Sequence, residues 1–230
     1  MQEQKSMSNL VGSLNNITVA SMRALKLRMF FALLIKGRPP LEQSATSGQL
    51  RFLAETAREI GASQIGEIGF NAGYSAQAFL SASSNSHVTS FDLVTHGYTP
   101  LAKKRVDAIH PGRHTLVEGD STATVPEFSQ QNPGRRFDLI FIDGGHSYDV
   151  AKADIRNMES LAHGNTLVIM DDLTPWLPWG KGPSRAWTEA QTNGIIEEIE
   201  IYKDGNSVEH AIPPGKRAWA LGRYLSPMSS

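Results

Sequence analysis

Three carboxylates and one imidazole carry the first chemical signal in this chain. Asp143-Gly144-Gly145-His146 follows the apolar run Leu139-Ile140-Phe141-Ile142, and Asp171-Asp172 follows a second run, Leu167-Val168-Ile169-Met170. If both runs are parallel strands, both acid groups leave on one rim and can converge. Three crowded acids repel one another, which calls for a bound cation or a raised pKa. Hard oxygen donors in a chain without cysteine favour Mg2+, or Mn2+ or Ca2+. His146 adds an imidazole, whose ordinary pKa of about 6.5 suits proton removal at neutral pH. The plain alternative is that these residues cap helices and face water.

A second signal lies upstream, in Glu67-Ile68-Gly69-Phe70-Asn71-Ala72-Gly73-Tyr74-Ser75. Gly69 and Gly73 allow a tight turn and a close backbone approach to a ligand. Ser75 opens the next helix, whose N-terminus attracts a carboxylate or phosphate. Glu67 would repel an anion and suits a cationic ligand. The spacing is acid-x-Gly-x-x-x-Gly, not the Gly-x-Gly-x-x-Gly of dinucleotide folds, which argues against an NAD-dependent oxidoreductase. Asp92, about twenty residues past the glycines, stands where an acid binds ribose hydroxyls. Glu118-Gly119-Asp120-Ser121 ends another strand and can hydrogen-bond an adenine amino group, although a helix N-cap explains Asp120 or Ser121 equally well.

Elements that would position these residues alternate along the chain. Strands are expected at 64–70, 87–93, 114–118, 137–143 and 166–171, with helices at 75–84, 100–110, 123–130 and 148–161 between them. The strands are short continuous apolar runs, as in a parallel sheet buried on both faces. A helix at 182–193 and two strands, 195–202 and 217–224, close the chain, the last two pairing antiparallel. Ahead of the alternation, Met22, Leu25, Met29, Phe30 and Leu33 share one helical face, Gly37-Arg38-Pro39-Pro40 breaks that helix, and Ser47 caps another running to about Ile60. The helix within 17–35 holds Arg23, Lys26 and Arg28, each costing about 2.5 to 3.5 kcal/mol at a bilayer centre, so no membrane span is expected. Leu173 to Pro183, rich in Pro, Gly and Trp, follows the acids directly and reads as a substrate lid carrying Trp176 and Trp179.

At 230 residues, 40% hydrophobic and 20% charged, the chain suits one soluble domain with a decorated end. A net charge of −1, with both signs mixed, offers no basic field for nucleic acid. The absence of cysteine excludes disulfides, thiolate zinc and Cys nucleophiles, and suits a cytoplasmic location.

Taken together, Gly66-Glu67-Ile68-Gly69-Phe70-Asn71-Ala72-Gly73-Tyr74-Ser75, Asp92 and Gly119-Asp120-Ser121 resemble the class I S-adenosylmethionine-dependent methyltransferases, over roughly Leu50 to Tyr224. The resemblance implies an α/β fold: a Rossmann-like, doubly wound, seven-stranded sheet, mostly parallel with an antiparallel C-terminal hairpin. Residues 1–46 would be an N-terminal tail and helical cap, and 47–230 the methyltransferase domain. The resemblance also implies that Gly69, Phe70, Asn71, Gly73, Tyr74 and Ser75 face the methionine moiety and that Glu67 lies near its ammonium. Asp92 would hold the ribose and Asp120 the adenine edge, with Ser121 and Asp143 completing the cofactor set. The acids and His146 are similar to those of metal-dependent small-molecule O-methyltransferases, both the catechol type and the branch acting on macrolides and antibiotic sugars. That likeness makes Asp143, Asp171 and Asp172 metal ligands and His146 the general base. His146 stands where the catechol type has a lysine, which leaves the acceptor open. A metal-free methyltransferase using His146 alone, and a cofactor-binding module without catalysis, are the other readings. The expected partner is a small molecule, with a homodimer or larger homo-oligomer left open.

Overall fold

The structure is a computed structural model in which residues 17–39 and 45–225 are described. Eight strands form one sheet: β1 (Gln64–Ile68), β2 (His87–Asp92), β3 (His114–Glu118), β4 (Phe137–Ile142), β5 (Ala162–Met170), β6 (Ile196–Lys203), β7 (Asn206–Val208) and β8 (Ala218–Tyr224). Their order is β3-β2-β1-β4-β5-β8-β6-β7. The first five pair in parallel, β8 runs antiparallel to β5, and β6 runs antiparallel to β8. The sheet therefore has one strand more than expected. The addition is the three-residue β7, which pairs with the end of β6 and carries no apolar run to announce it.

Helices α3 (Tyr74–Ala82), α4 (Thr99–Ile109), α5 (Ser121–Gln131), α6 (Tyr148–Glu159) and α7 (Lys181–Thr192) connect the strands and cover both faces. Strand β4 shows why: Phe137, Leu139, Ile140, Phe141 and Ile142 are all at most 1% exposed. Each buried side chain of this size contributes about 1.5–3 kcal/mol relative to exposure. Alternate residues serve opposite faces, so Leu139 and Phe141 join one core and Ile140 and Ile142 the other, while a register shift between Phe137 and Leu139 puts Phe137 with the second group.

Two further helices, α1 (Val19–Ile35) and α2 (Ser47–Glu59), pack on α3 over the first core. Helix α1 starts at a capping box: Ser21 N–H donates to Thr18 Oγ1 at 3.0 Å and Thr18 N–H donates to Ser21 Oγ at 2.9 Å. It buries Met22, Met29 and Leu33, three of the five residues expected on its inner face. Helix α2 is capped one residue earlier than expected, by Thr46, whose hydroxyl accepts from Gln49 N–H. Among the described residues no helix is long and apolar enough to cross a membrane.

The register positions the site. Ile68 pairs with both Phe91 and Ile142, and Ile142 with Met170, so β1, β2, β4 and β5 end on one line. Strand β1 lies between β2 and β4 because the chain builds outward one way and then the other. Ligands bind in the crevice beyond the strand ends at such a reversal.

Candidate functional site

The ladder continues one residue past the strands. Gly69 N–H donates to Phe91 O at 2.9 Å, Asp143 N–H to Ile68 O at 2.9 Å, and Asp171 N–H to Ile142 O at 3.0 Å. These bonds hold Gly69, Asp143 and Asp171 in one row on the rim. The backbone of Gly69 has φ +94°, and a Cβ there would fall 2.0 Å from the Asp143 carbonyl oxygen. Gly73, φ +70°, starts α3 in the left-handed region. Both glycines are therefore required by geometry.

Asp92 braces the turn. Its Oδ2 accepts from Asn71 N–H at 2.8 Å and its Oδ1 from Val94 N–H at 2.6 Å. A carboxylate has about four lone-pair sites, so two bonds leave capacity toward a ligand. Asp120 caps α5, accepting from the backbone N–H of Thr122 at 2.9 Å and from its hydroxyl at 2.8 Å. The Thr122 hydroxyl and N–H hold its carboxyl below the usual range. Ser121 donates to Asp154 Oδ1 at 2.7 Å.

Two clefts open on this rim. The first, about 280 Å³, is lined by Gly69, Asn71, Asp92, Asp120, Ser121 and Asp143 among others. The second, about 450 Å³, is lined by Asp143, His146, Asp172, Trp179 and Arg217 with Gly69, Asn71 and Gly144. They share Gly69, Asn71, Asp143 and Gly144. One cleft has an acid suited to a diol, the other an imidazole and acids, and the two meet at a backbone junction.

Not every expected residue lies on a wall. Glu67 is fully buried and lines neither cleft. It shares the β1 face of Ile65, where Ser90 Oγ–H donates to its Oε2. Burial pushes its carboxyl up to about 7, against hydrogen bonds from Ser75 and Ser90. Phe70, Tyr74 and Ser75 are also buried beneath the turn. Trp176 donates from Nε1 to Gly215 O at 2.9 Å and is absent from both walls, so only Trp179 of the expected pair faces a cleft. Trp179 lies in a short 3-10 turn, Pro178–Gly180, that leads into α7. There Gly182 packs so tightly that a Cβ would meet His146 O at 2.2 Å.

In the second cleft the acids are engaged by cationic and imidazole groups. His146 Nε2 lies 2.9 Å from Asp172 Oδ2. Arg217 Nη1 lies 4.0 Å from Asp171 Oδ2. Burial, then the neighbouring Asp171 and Asp172, push the Asp143 carboxyl well up. Burial, then Asp172, push Asp171 up to about 6. Asp172 itself adopts φ +59°, a conformation rare outside glycine. Among the described residues no group of three or more His, Asp or Glu side chains is placed to hold a metal ion. Arg217 escaped the sequence reading. Its available signal was topological: an antiparallel strand next to β5 must begin at the rim where β5 ends.

Beneath the turn lies a buried relay. His114 Nε2 is 2.9 Å from Ser90 Oγ, and its ring stacks on Phe70 with centroids 4.8 Å apart. Since Ser90 donates its proton to Glu67, His114 donates from Nε2. Burial, then Lys103, His87 and His110, push His114 down to about 3. The unfolded chain protonates this imidazole below about 6.5 while the native chain does not. His114 therefore contributes stability above about 6.5 that is lost as pH falls toward 3. We expect His114→Gln to shallow the acid-side loss of stability by about 1.4 kcal/mol per pH unit, read from melts between pH 6.5 and 4. An unchanged slope would remove the assignment.

Comparison with known proteins follows the same lines. Residues 67–173, from the glycine turn to just past Asp172, match a protein family described as Methyltransferase domain. No curated protein sequence matches the chain. Among solved structures, an O-methyltransferase from Bacillus cereus in complex with SAH aligns with TM-score 0.67 at 18% identity, over 86% of this chain and 90% of that one. TomG from Streptomyces achromogenes, an O-methyltransferase of tomaymycin synthesis in complex with SAM, aligns with TM-score 0.66 at 19% identity, over 87% and 89%. CalS11, a TDP-rhamnose 3'-O-methyltransferase of calicheamicin biosynthesis, aligns with TM-score 0.56 at 20% identity, over 74% and 76%. At these identities the likeness is one of fold.

Proposed function

We propose that this chain, which carries a methyltransferase domain over residues 67–173, is an S-adenosylmethionine-dependent O-methyltransferase acting on a hydroxyl of a small molecule. The observation that carries the reading is the junction of the two clefts at Gly69, Asn71, Asp143 and Gly144. A donor in one cleft and an acceptor in the other would meet there, and holding two reactants at attack distance is a large part of such catalysis.

The first cleft fits the cofactor. Its wall carries Asp92, Asp120 and Asp143, which would repel the pyrophosphate of a dinucleotide and suit a donor of net positive charge. Asp92 would hold the ribose hydroxyls, the Gly69–Asn71 backbone the methionine end, and Asp120 with Ser121 the adenine end. When bound, S-adenosylmethionine supplies an electrophilic methyl group on a sulfonium.

In the second cleft His146 acts as the general base. A hydrogen bond from Nε2–H to Asp172 Oδ2 would favour the tautomer in which Nδ1 is the basic nitrogen. Nδ1 would take the proton of the acceptor hydroxyl, so that its oxygen could receive the methyl group as the donor's sulfur–methyl bond breaks and S-adenosylhomocysteine is left. Trp179 offers an apolar face on which a ring or sugar can stack. Fold neighbours include an O-methyltransferase involved in tomaymycin synthesis and a TDP-rhamnose 3'-O-methyltransferase, which makes ring and sugar hydroxyls the first acceptors to try.

Mg2+ on Asp143, Asp171 and Asp172 was expected from the sequence. As placed, these side chains do not fit it: Asp172 is turned to His146 and Asp171 to Arg217. A metal-dependent reaction remains a second reading because burial and the neighbouring acids push the Asp143 and Asp171 carboxyls up and Asp171 Oδ2 lacks a hydrogen-bond partner. One assay separates the two: transfer of labelled methyl from S-adenosylmethionine to a panel of sugars, catechols and phenols, with and without EDTA. We expect transfer to change less than about twofold on chelation; a loss of about a hundredfold or more, restored by Mg2+, selects the metal reading. Failure of the protein to bind S-adenosylhomocysteine in calorimetry would remove both.

A further inference from the structure

We infer that Arg217 is the resident cation of the acceptor cleft, set where a divalent ion would compete for the same carboxylates, and that removing its charge exposes a latent divalent-cation site on Asp143, Asp171 and Asp172. This rests on reading the second cleft as the acceptor site.

The position is built by the fold. Arg217 directly precedes β8, which runs antiparallel to β5 and so starts where β5 ends. Its backbone is pinned. The N–H groups of Lys216 and Arg217 donate to Asp204 Oδ1 at 3.0 Å each, and Arg217 O accepts from Asp204 N–H at 2.9 Å. The next residue, Ala218, accepts from Leu173 N–H at 2.8 Å. The root of the guanidinium is thus tied to the segment that carries Asp171 and Asp172.

Its side chain is 15% exposed, and that of Asp171 is fully buried. At 4.0 Å the contact is an ion pair and not a hydrogen bond, and Asp171 Oδ2 has no hydrogen-bond partner. A buried carboxylate with an unsatisfied oxygen needs a cation near it. Arg217 is that cation, and it lines the second cleft together with Asp143 and Asp172. The other groups facing this end are Lys26 of α1, Gln49 of α2, and His146 on Asp172.

Guanidinium and metal are alternatives for one set of oxygens. Mg2+ takes oxygen ligands at about 2.0–2.1 Å in near-octahedral array, which requires carboxylates turned to a common point. A guanidinium stays charged at any working pH and presents planar donors to a pair of oxygens. A cleft built this way is indifferent to chelators.

Mn2+ binding to the full-length chain, without cofactor or acceptor, tests this by electron paramagnetic resonance and calorimetry. Wild type is expected to bind Mn2+ no tighter than about 1 mM. Arg217→Met should bind one Mn2+ at least tenfold tighter, and adding Asp171→Asn should abolish the gain. Arg217→Lys, which keeps the charge, should behave as wild type. Arg217→Gln serves as a second neutral variant if the Met side chain disturbs folding. Wild type binding Mn2+ as tightly as the neutral variants overturns the inference, as does a neutral variant that folds and binds none. S-adenosylhomocysteine titrated into the same samples reports on the methyltransferase reading separately, because its cleft does not include Arg217.

Discussion

Gly69→Ala is expected to abolish measurable binding of S-adenosylhomocysteine and to lower the melting temperature by about 6–12 °C. The added methyl meets the backbone of Asp143, with the carbonyl oxygen at 2.0 Å and the carbonyl carbon at 2.9 Å. No rotamer change relieves a clash between two main chains. The φ of +94° adds a strain of about 1–3 kcal/mol for any residue with a Cβ. Relief requires the ends of β1 and β4 to part, and both clefts share that junction. A total of roughly 3 kcal/mol converts to the stated shift at about 2–4 °C per kcal/mol for a chain of this size. Gly164→Ala is the control: it has open space around its Cβ position and no positive φ, and it should leave both quantities unchanged. Full ligand affinity in Gly69→Ala would show that the first cleft does not hold the cofactor.

The same residue shows what could be read from sequence. A close backbone approach and a left-handed turn permit only glycine, so Gly69 and Gly73 announced themselves by type and spacing. Asp92 was legible because its role depends on lying one strand away from that turn, where it now accepts from Asn71 N–H. The strands were legible because burial on both faces demands continuous apolar runs. Glu67 was legible as an acid but not in its direction. Alternation along β1 turns it into the core beside Ser90, a fact of register rather than of composition. The partners of Asp171 and Asp172 were hidden for a different reason. Arg217 is distant in sequence and reaches the acids only through the antiparallel return of β8, while three acids read alone suggest a metal. Trp176 and Trp179 looked equivalent in composition, yet only Trp179 lines the cleft because Trp176 is tethered to Gly215.

His146→Ala is expected to lower methyl transfer by about 10²–10⁴-fold while leaving affinity for S-adenosylhomocysteine within about twofold. The imidazole lines the second cleft and not the first, so its loss removes the base without touching the cofactor wall. Its side chain is 52% exposed, open to an incoming hydroxyl, with one edge held by Asp172 at 2.9 Å. Asp172→Asn keeps the shape but can donate to Nε2, which reverses the tautomer and moves the proton onto the nitrogen meant to receive one. That variant should also lose rate, and the double variant should lose little more than His146→Ala alone, because the two side chains act as a unit. Single-turnover transfer from labelled S-adenosylmethionine measures all three without a contribution from product release. A His146→Ala enzyme that transfers methyl at the wild-type rate would move the proton acceptor elsewhere on the rim. Among the described side chains of the second cleft, Asp143 and Asp172 are the carboxylates that could then take it.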